Sequence, residues 1–458
     1  MLKWRLTKPL RDRIRAGHPW VYDRAVDSTA PGARAVAPAA PGRHGAPGRA
    51  PAGGSGPPAS APARHSSGRG GRGPSPDAST RPPSPAAALT AAPGDIILLV
   101  DEDGPVALAL ADPESPLRAR VLDDPGATID AAWVRTRVAA AVARRQRDPL
   151  LTGCTGMRLV HGEGDRCPGL VVDQYADTAV IVFDGPAAGA FWRAYLPAVL
   201  DGLDRGGATI AHVWVRGERR DRSSAAAARG NPPALVTITE DEARFAVDVR
   251  AGQKTGFFLD QRDNRRTIRR HAAGATVLNV FSYTGGFSLH AALGGASQVT
   301  SVDLAAPAIA ALRENVVLSG LPLEAHETHA IDAFEFFARA AARRRTWDLV
   351  IVDPPSFAPS ERAKQAGLGA YSKLAQAALA VTAPGGRFAL ASCSSHVTEA
   401  DLIEVAAVAA VTPHGPAASA HDVRHLALRV CAGAASDHPV LPAFPEGRYL
   451  KFLLFDAP

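Results

Sequence analysis

The feature that most constrains this 458-residue chain is the alternation of short apolar runs with helical stretches from about residue 256 onward. Residues 277–281 make an apolar run long enough for a buried strand, followed by a glycine turn and a helical pattern. A second strand is expected over 298–303, with a helix near 307–319. Further strand-like runs occupy 348–353 and 387–392, and a late one covers 448–455. Strands separated by helices pair in parallel, because a helix-length crossover is what returns the chain to the same end of a sheet. The expectation is an α/β fold, a doubly wound Rossmann-like domain over residues 252–458.

The N-terminal half reads differently. Leu2, Trp4 and Leu6 alternate as in a strand, and Gly17-His18-Pro19-Trp20-Val21-Tyr22 is a turn entering another. Residues 28–92 are Ala, Pro, Gly, Ser and Arg with few large apolar side chains, so burial cannot offset the entropy of ordering them. Strand-like sequence resumes at 95–100 and 106–110. Residues 1–27 are too few to fold alone. The expectation is one small β-rich domain, 1–126, interrupted by a disordered insertion at 28–92. A middle α+β domain is expected over 127–251. It has a helix at 128–147, a hairpin within 157–183, a helix near 190–203, strands near 212–216, 234–239 and 243–249, and a flexible loop over 218–232.

Charge sharpens this division. The segment 28–92 holds seven Arg against the single acid Asp77, which accounts for the whole formal net charge of +6. The rest of the chain is neutral, so an RNA-binding surface must be a local patch. Lys3, Arg5, Lys8, Arg11, Arg13 and the arginines of 135–147 are candidate phosphate contacts. No run of about 18 apolar residues occurs, so no membrane span is expected. The N-terminus has no signal-peptide core. Cys154, Cys167, Cys393 and Cys431 lack CxxC or metal-ligand spacing, so neither a disulfide framework nor a metal site is expected, and a cytoplasmic location fits.

Five sequence patterns at the expected strand ends carry chemistry. Asn279-Val280-Phe281-Ser282-Tyr283-Thr284-Gly285-Gly286 allows close backbone approach and opens a helix whose free N–H groups suit a carboxylate. The lack of GxGxxG speaks against a dinucleotide. Asp303 closes the second strand, where an acid accepts from both ribose hydroxyls of a nucleoside. Asp332 follows the expected third strand and suits either an adenine amino group or a helix cap. Asp353-Pro354-Pro355-Ser356-Phe357 is a stiff loop of the kind that holds a flipped base. Cys393, between Ser392 and Ser394, ends the fifth strand and is placed to attack carbon 6 of a pyrimidine, given a lowered thiol pKa. Upstream, Gly252-Gln253-Lys254-Thr255-Gly256-Phe257-Phe258-Leu259-Asp260-Gln261-Arg262 reads as a loop folded over the ligand.

These stretches resemble the bacterial large-subunit ribosomal RNA cytosine-C5 methyltransferases that carry an N-terminal PUA domain. The similarity extends to GHPWVY at 17–22, RLVHGEGDRCPGLVVDQY at 158–175, GQKTGFFLDQRDNR at 252–265, SCS at 392–394, DHPV at 437–440 and PEGRYLKF at 445–452. The resemblance implies a PUA-like RNA-binding domain and a class I domain binding S-adenosyl-L-methionine. Its implied contacts are Gln253, Lys254, Asn279, Phe281, Tyr283, Gly285, Gly286, Asp303, Asp332, Asp353 and Pro354. It implies Cys393 as nucleophile with Asp353 assisting, and Pro355, Phe357, Arg262 and Arg448 beside the RNA. Two departures stand out. Asn279 occupies the place of the usual acid, and Pro355-Ser356 stands where many such enzymes have a second cysteine. The scaffold also suits enzymes that methylate purine nitrogens, which need no thiol, and a non-catalytic ribosome-assembly role is the reading from another class. Monomer and homodimer stay open.

Overall fold

The computed structural model describes residues 1–27, 91–217, 224–412 and 423–458. The expected insertion at 28–92 falls outside these residues except for its last two, and Ala91 is buried.

The first sheet joins both sides of that segment. Strands β1 (Leu2–Leu6), β2 (Trp20–Tyr22) and β3 (Val26–Asp27), with helix α1 (Arg11–Arg15) between the first two, share a six-stranded sheet with β4 (Ile96–Asp101), β5 (Gly104–Ala111) and β6 (Leu117–Asp123). Its order is β2-β6-β5-β4-β1-β3, and β1 runs parallel to β4 with Leu2 opposite Ile97. The alternation of β1 is realised as buried Leu2, Trp4 and Leu6 against exposed Lys3 and Arg5. Those apolar residues pack with Ile97, Leu99 and Ala109 into one core.

The second sheet has order β11-β10-β9-β8-β7, from β7 (Gly156–His161), β8 (Leu170–Tyr175), β9 (Thr178–Phe183), β10 (His212–Val215) and β11 (Ala226–Arg229). Strand β11 corrects the loop expected over 218–232. Its small side chains give no strand pattern, and antiparallel pairing to β10 fixes it. Helix α2 (Ala131–Gln146) is capped by Asp130, whose side chain accepts from Trp133 N. The helix expected near 190–203 is two, α3 (Pro186–Ala194) and α4 (Leu196–Arg205), because Pro197 cannot donate into a continuous ladder and starts the second. A hairpin of β12 (Leu235–Glu240) and β13 (Ala243–Asp248) follows.

The C-terminal sheet has seven strands in the order β16-β15-β14-β17-β18-β20-β19. They are β14 (Thr276–Val280), β15 (Gln298–Asp303), β16 (His326–Ala330), β17 (Trp347–Val352), β18 (Thr382–Ser392), β19 (Ala427–Ala432) and β20 (Lys451–Ala457). Strands β14 to β18 are parallel, and β20 is antiparallel to both of its neighbours. Helices α5 (Arg262–His271), α6 (Gly286–Leu293), α7 (Ala306–Leu318), α8 (Ala333–Ala342), α9 (Lys364–Ala380) and α10 (Glu399–Val411) cover the sheet. Leu278, Val280, Val350 and Leu390 face one core, while Val277, Leu349, Ile351 and Ala389 face the other. Strand order reverses between β14 and β17, so the crevice outside their carboxyl ends is the ligand position of an open α/β sheet. No helix among the described residues is long and apolar enough to cross a membrane.

Candidate functional site

A cleft of about 320 Å³ opens at that reversal point. Gln253, Lys254, Phe281, Tyr283, Gly286, Asp303, Asp332, Asp353, Pro354, Pro355 and Cys393 all line it. Several separate chain segments thus converge, as the sequence patterns at the strand ends led one to expect.

The turn after β14 is conformationally costly. Phe281 (φ 64) and Tyr283 (φ 46) are left-handed without being glycine. Asp303 holds the turn in place: its Oδ2 accepts from Tyr283 N at 2.8 Å and its Oδ1 from Ala305 N at 2.9 Å. Asp303 also lines the cleft. Asp332 lines the cleft and caps α8, accepting from Phe334 N and Glu335 N. Beside it, Leu304 is 73% exposed and Ile331 is half-buried, an apolar surface fitted to a planar base.

The 252–258 segment leans over this turn. Tyr283 Oη accepts from Gln253 N at 3.3 Å, and the Phe258 and Tyr283 rings meet edge to face at 5.3 Å. Lys254 Nζ pairs with Asp260 and sits 4.5 Å from the Phe258 ring centre. Asp260 Oδ2 also accepts from Tyr449 Oη at 2.7 Å.

Asp353 and Cys393 directly follow neighbouring strands, β17 and β18. Burial, and the Asp260 carboxylate nearby, push the Asp353 carboxyl up to about 6. Gln261 Nε2 donates to Asp353 Oδ2 at 2.9 Å. The two strand ends are tied together by hydroxyls. Ser356 Oγ lies 2.9 Å from Ser394 Oγ, which is 3.1 Å from Tyr371 Oη, and Ser392 Oγ donates to Tyr371 Oη at 2.9 Å. Cys393 is held between these two anchored serines and is partly exposed, whereas Cys154 and Cys167 are buried. Burial and the Asp353 carboxylate push its thiol up, opposite to the lowering expected from the sequence.

Several of the expected contacts are corrected. Asn279 is buried under the turn, donating to Ser288 Oγ at 2.8 Å, because alternation along β14 points it away from the cleft. Gly285 shapes the turn without lining the cleft: its φ is +91°, and a Cβ there would lie 2.7 Å from Leu312 Cγ. Arg262 is fully buried, bound to Asp437 at 3.0 Å and to Gly156 O at 2.8 Å, so it is out of reach of RNA. Phe357 packs on Tyr371 at 4.9 Å, and Arg448 is half-buried; neither lines the cleft. Among the candidate phosphate contacts, Arg11, Arg135, Arg137, Arg144 and Arg145 pair with carboxylates, and Lys3, Arg5, Lys8, Arg13 and Arg147 are exposed. Sequence reasoning gave no individual role to Asp260, Gln261, Tyr449 and Lys451. Their positions inside two long motif stretches, 252–265 and 445–452, were the available signal.

A crevice at a strand-order reversal, with an acid ending the second strand and a glycine-opened helix beneath it, is a nucleoside site of an open α/β sheet, and the profile this chain matches makes it a methyltransferase that uses S-adenosylmethionine. A family profile described as S-adenosylmethionine-dependent methyltransferase matches residues 203–414. A ribosomal RNA large subunit methyltransferase of Deinococcus radiodurans is 39% identical over 381 residues, covering 80% of this chain and 90% of that protein. A ribosomal RNA large subunit methyltransferase I of Cronobacter sakazakii is 34% identical, covering 79% and 90%. The chain belongs to this family of ribosomal RNA large subunit methyltransferases. The fold is shared with a Streptococcus mutans S-adenosylmethionine-dependent methyltransferase (TM-score 0.73, 18% identity, all of both chains). It is shared also with a methyltransferase crystallised with SAH (TM-score 0.68, 22% identity, 79% of this chain and 91% of the other).

Proposed function

We propose that this protein methylates carbon 5 of a cytosine in 23S ribosomal RNA through a covalent bond between Cys393 Sγ and carbon 6 of the base. The observation that carries this reading is that a cysteine and a carboxyl of raised pKa, at the ends of adjacent strands, line one cleft. A nitrogen target is already nucleophilic and needs no thiol. Carbon 5 of cytosine is not, and becomes enamine-like only after addition at carbon 6.

The residues present fit S-adenosylmethionine. Asp303 would hold the ribose hydroxyls, Asp332 the adenine amino group beside Leu304 and Ile331, and the Gly286 end of α6 the methionine carboxylate, with Gln253, Lys254, Phe281, Tyr283 and Pro354 lining the same cleft. When bound, the cofactor supplies an electrophilic methyl group. Cys393 thiolate attacks carbon 6, and Asp353, protonated below about pH 6, donates to ring nitrogen 3 as electron density moves toward carbon 5. After methyl transfer a base removes the carbon 5 proton, the ring double bond re-forms as the thiolate leaves, and the nitrogen 3 proton returns to Asp353. Pro355, on the same loop as Asp353 and lining the cleft, flanks the extruded base. Residues 1–126, with exposed Lys3, Arg5, Lys8 and Arg13, serve as a PUA-like RNA-binding domain, residues 127–251 as the middle domain and 252–458 as the catalytic one.

The experiment is mass mapping of modified nucleosides in ribosomal RNA treated with wild type and Cys393→Ser. The expected result is one 5-methylcytosine, absent with the variant. A methylated purine that persists in Cys393→Ala overturns the reading.

A further inference from the structure

This inference rests on Cys393 as the nucleophile proposed above. The thiol must ionise among groups that oppose it: Asp353 and Asp260 act against its charge, with Lys254 from the overlying loop acting for it and the Tyr371 hydroxyl nearby. A second cation lies on the sheet side. Lys451 begins β20 directly opposite Ser392, one residue from the thiol. It is buried, and its Nζ donates to Ser394 O at 2.6 Å and to Tyr449 O at 2.9 Å. Ser394 is the other neighbour of Cys393. Among the described residues no carboxylate lies within ion-pair distance of Lys451. Asp401 of α10 acts on it from further away and is itself paired with Lys364 at 2.8 Å. A buried ammonium held only by carbonyls is costly unless an anion forms beside it. Burial pushes Lys451 down to about 8, and after burial Cys393 is the largest influence on it.

We propose that Lys451 is the positioning cation of Cys393, holding the thiolate in its ionised form from behind the sheet and setting the pH at which the nucleophile is ready. Near neutrality Lys451, pushed down only to about 8, is still an ammonium, and a thiol that releases its proton to solvent there leaves a thiolate–ammonium pair. No direct hydrogen bond joins the two; the coupling acts through the low-dielectric strand end.

The test is the pH profile of Cys393 alkylation by iodoacetamide in the full chain, followed peptide by peptide, with exposed Cys431 as internal control. Lys451→Met is expected to lower the Cys393 alkylation rate about tenfold near neutrality, where Lys451 is still charged, with the difference closing above about pH 8. Lys451→Arg is expected to keep the wild-type rate near neutrality, and Cys431 to be unchanged in both. A Lys451→Met profile that coincides with wild type overturns the proposal. If that variant does not fold, the coupling is read from the other side, since it is reciprocal. The Lys451 Nζ resonance in [15N]lysine-labelled protein should titrate at lower pH in Cys393→Ala than in wild type, and equal midpoints overturn the proposal. Neither measurement uses RNA, so a methylated-purine product would sink the cytosine reading and leave this coupling standing.

Discussion

Gln261 donates from Nε2 to Asp353 Oδ2 at 2.9 Å, and Asn264 Nδ2 fixes the other end of that amide by donating to its Oε1 at 2.6 Å. The orientation of the Asp353 carboxyl is therefore set from α5, one helix away from the strand that bears it. This arrangement holds a carboxyl whose pKa is pushed up to about 6 by burial and by Asp260.

The raised pKa has a consequence for stability. Between about pH 4 and pH 6 the unfolded chain releases the Asp353 proton while the folded protein keeps it, so stability falls as pH rises through that window. Asp353→Asn removes the titration. The variant should gain about 1–2 kcal/mol on wild type between pH 4 and pH 7, with the partial exposure of the site limiting the gain. Urea unfolding at a series of pH values measures it. A stability difference that does not vary with pH contradicts the assignment.

Asp303 lines the cleft, and one of its oxygens holds the strained turn at Tyr283. On the proposed ribose contact, Asp303→Ala loses charge-assisted hydrogen bonds to the ribose as well as the clamp on the turn. Titration calorimetry should show S-adenosylmethionine affinity down by about 10- to 100-fold. Wild-type affinity in that variant would place the nucleoside elsewhere.

Gly285 tests the turn without touching the ligand. At φ +91°, with Leu312 Cγ 2.7 Å and Leu289 Cδ1 2.9 Å from an added Cβ, alanine is strained and crowded at once. Gly285→Ala should lower stability by about 1–3 kcal/mol in thermal or urea unfolding. An unchanged midpoint would mean that the turn adapts freely.

Much of this was legible in sequence because each strand end is marked by a break in apolar character. The glycine pair after β14, Asp303 at the end of β15, the proline pair after β17 and Cys393 after β18 each interrupt an apolar run, and the parallel sheet brings such interruptions to one edge. Direction and partner stayed hidden. Asn279 and Phe281 stand two apart, but the left-handed Phe281 breaks the strand's alternation, so one side chain faces the core and the other the cleft. The edge strand Ala427–Ala432 and the strand Ala226–Arg229 exist through pairing, which leaves little trace in their own residues. The charge of Lys451 is paired with nothing in the linear sequence, and its meaning appears only when β20 lies against β18.

Arg262 is the instructive failure, because an arginine in a polar motif reads as an RNA contact. Its guanidinium is fully buried, 3.0 Å from Asp437 Oδ2, which also accepts from Arg158 N at 2.8 Å and so ties the first helix of the catalytic region to β7. The pair holds Asp437 well below the ordinary carboxylate range. Removing one partner leaves a buried charge uncompensated, at a cost of about 3–5 kcal/mol, whereas replacing both restores part of it. Arg262→Met should therefore unfold at markedly lower urea, and Arg262→Met with Asp437→Asn should recover some of that loss. An RNA contact predicts the reverse: unchanged stability, weaker RNA binding and a shallower salt dependence of affinity. Unfolding curves of the single and double variants, set beside RNA affinity measured at two salt concentrations, decide between the two roles.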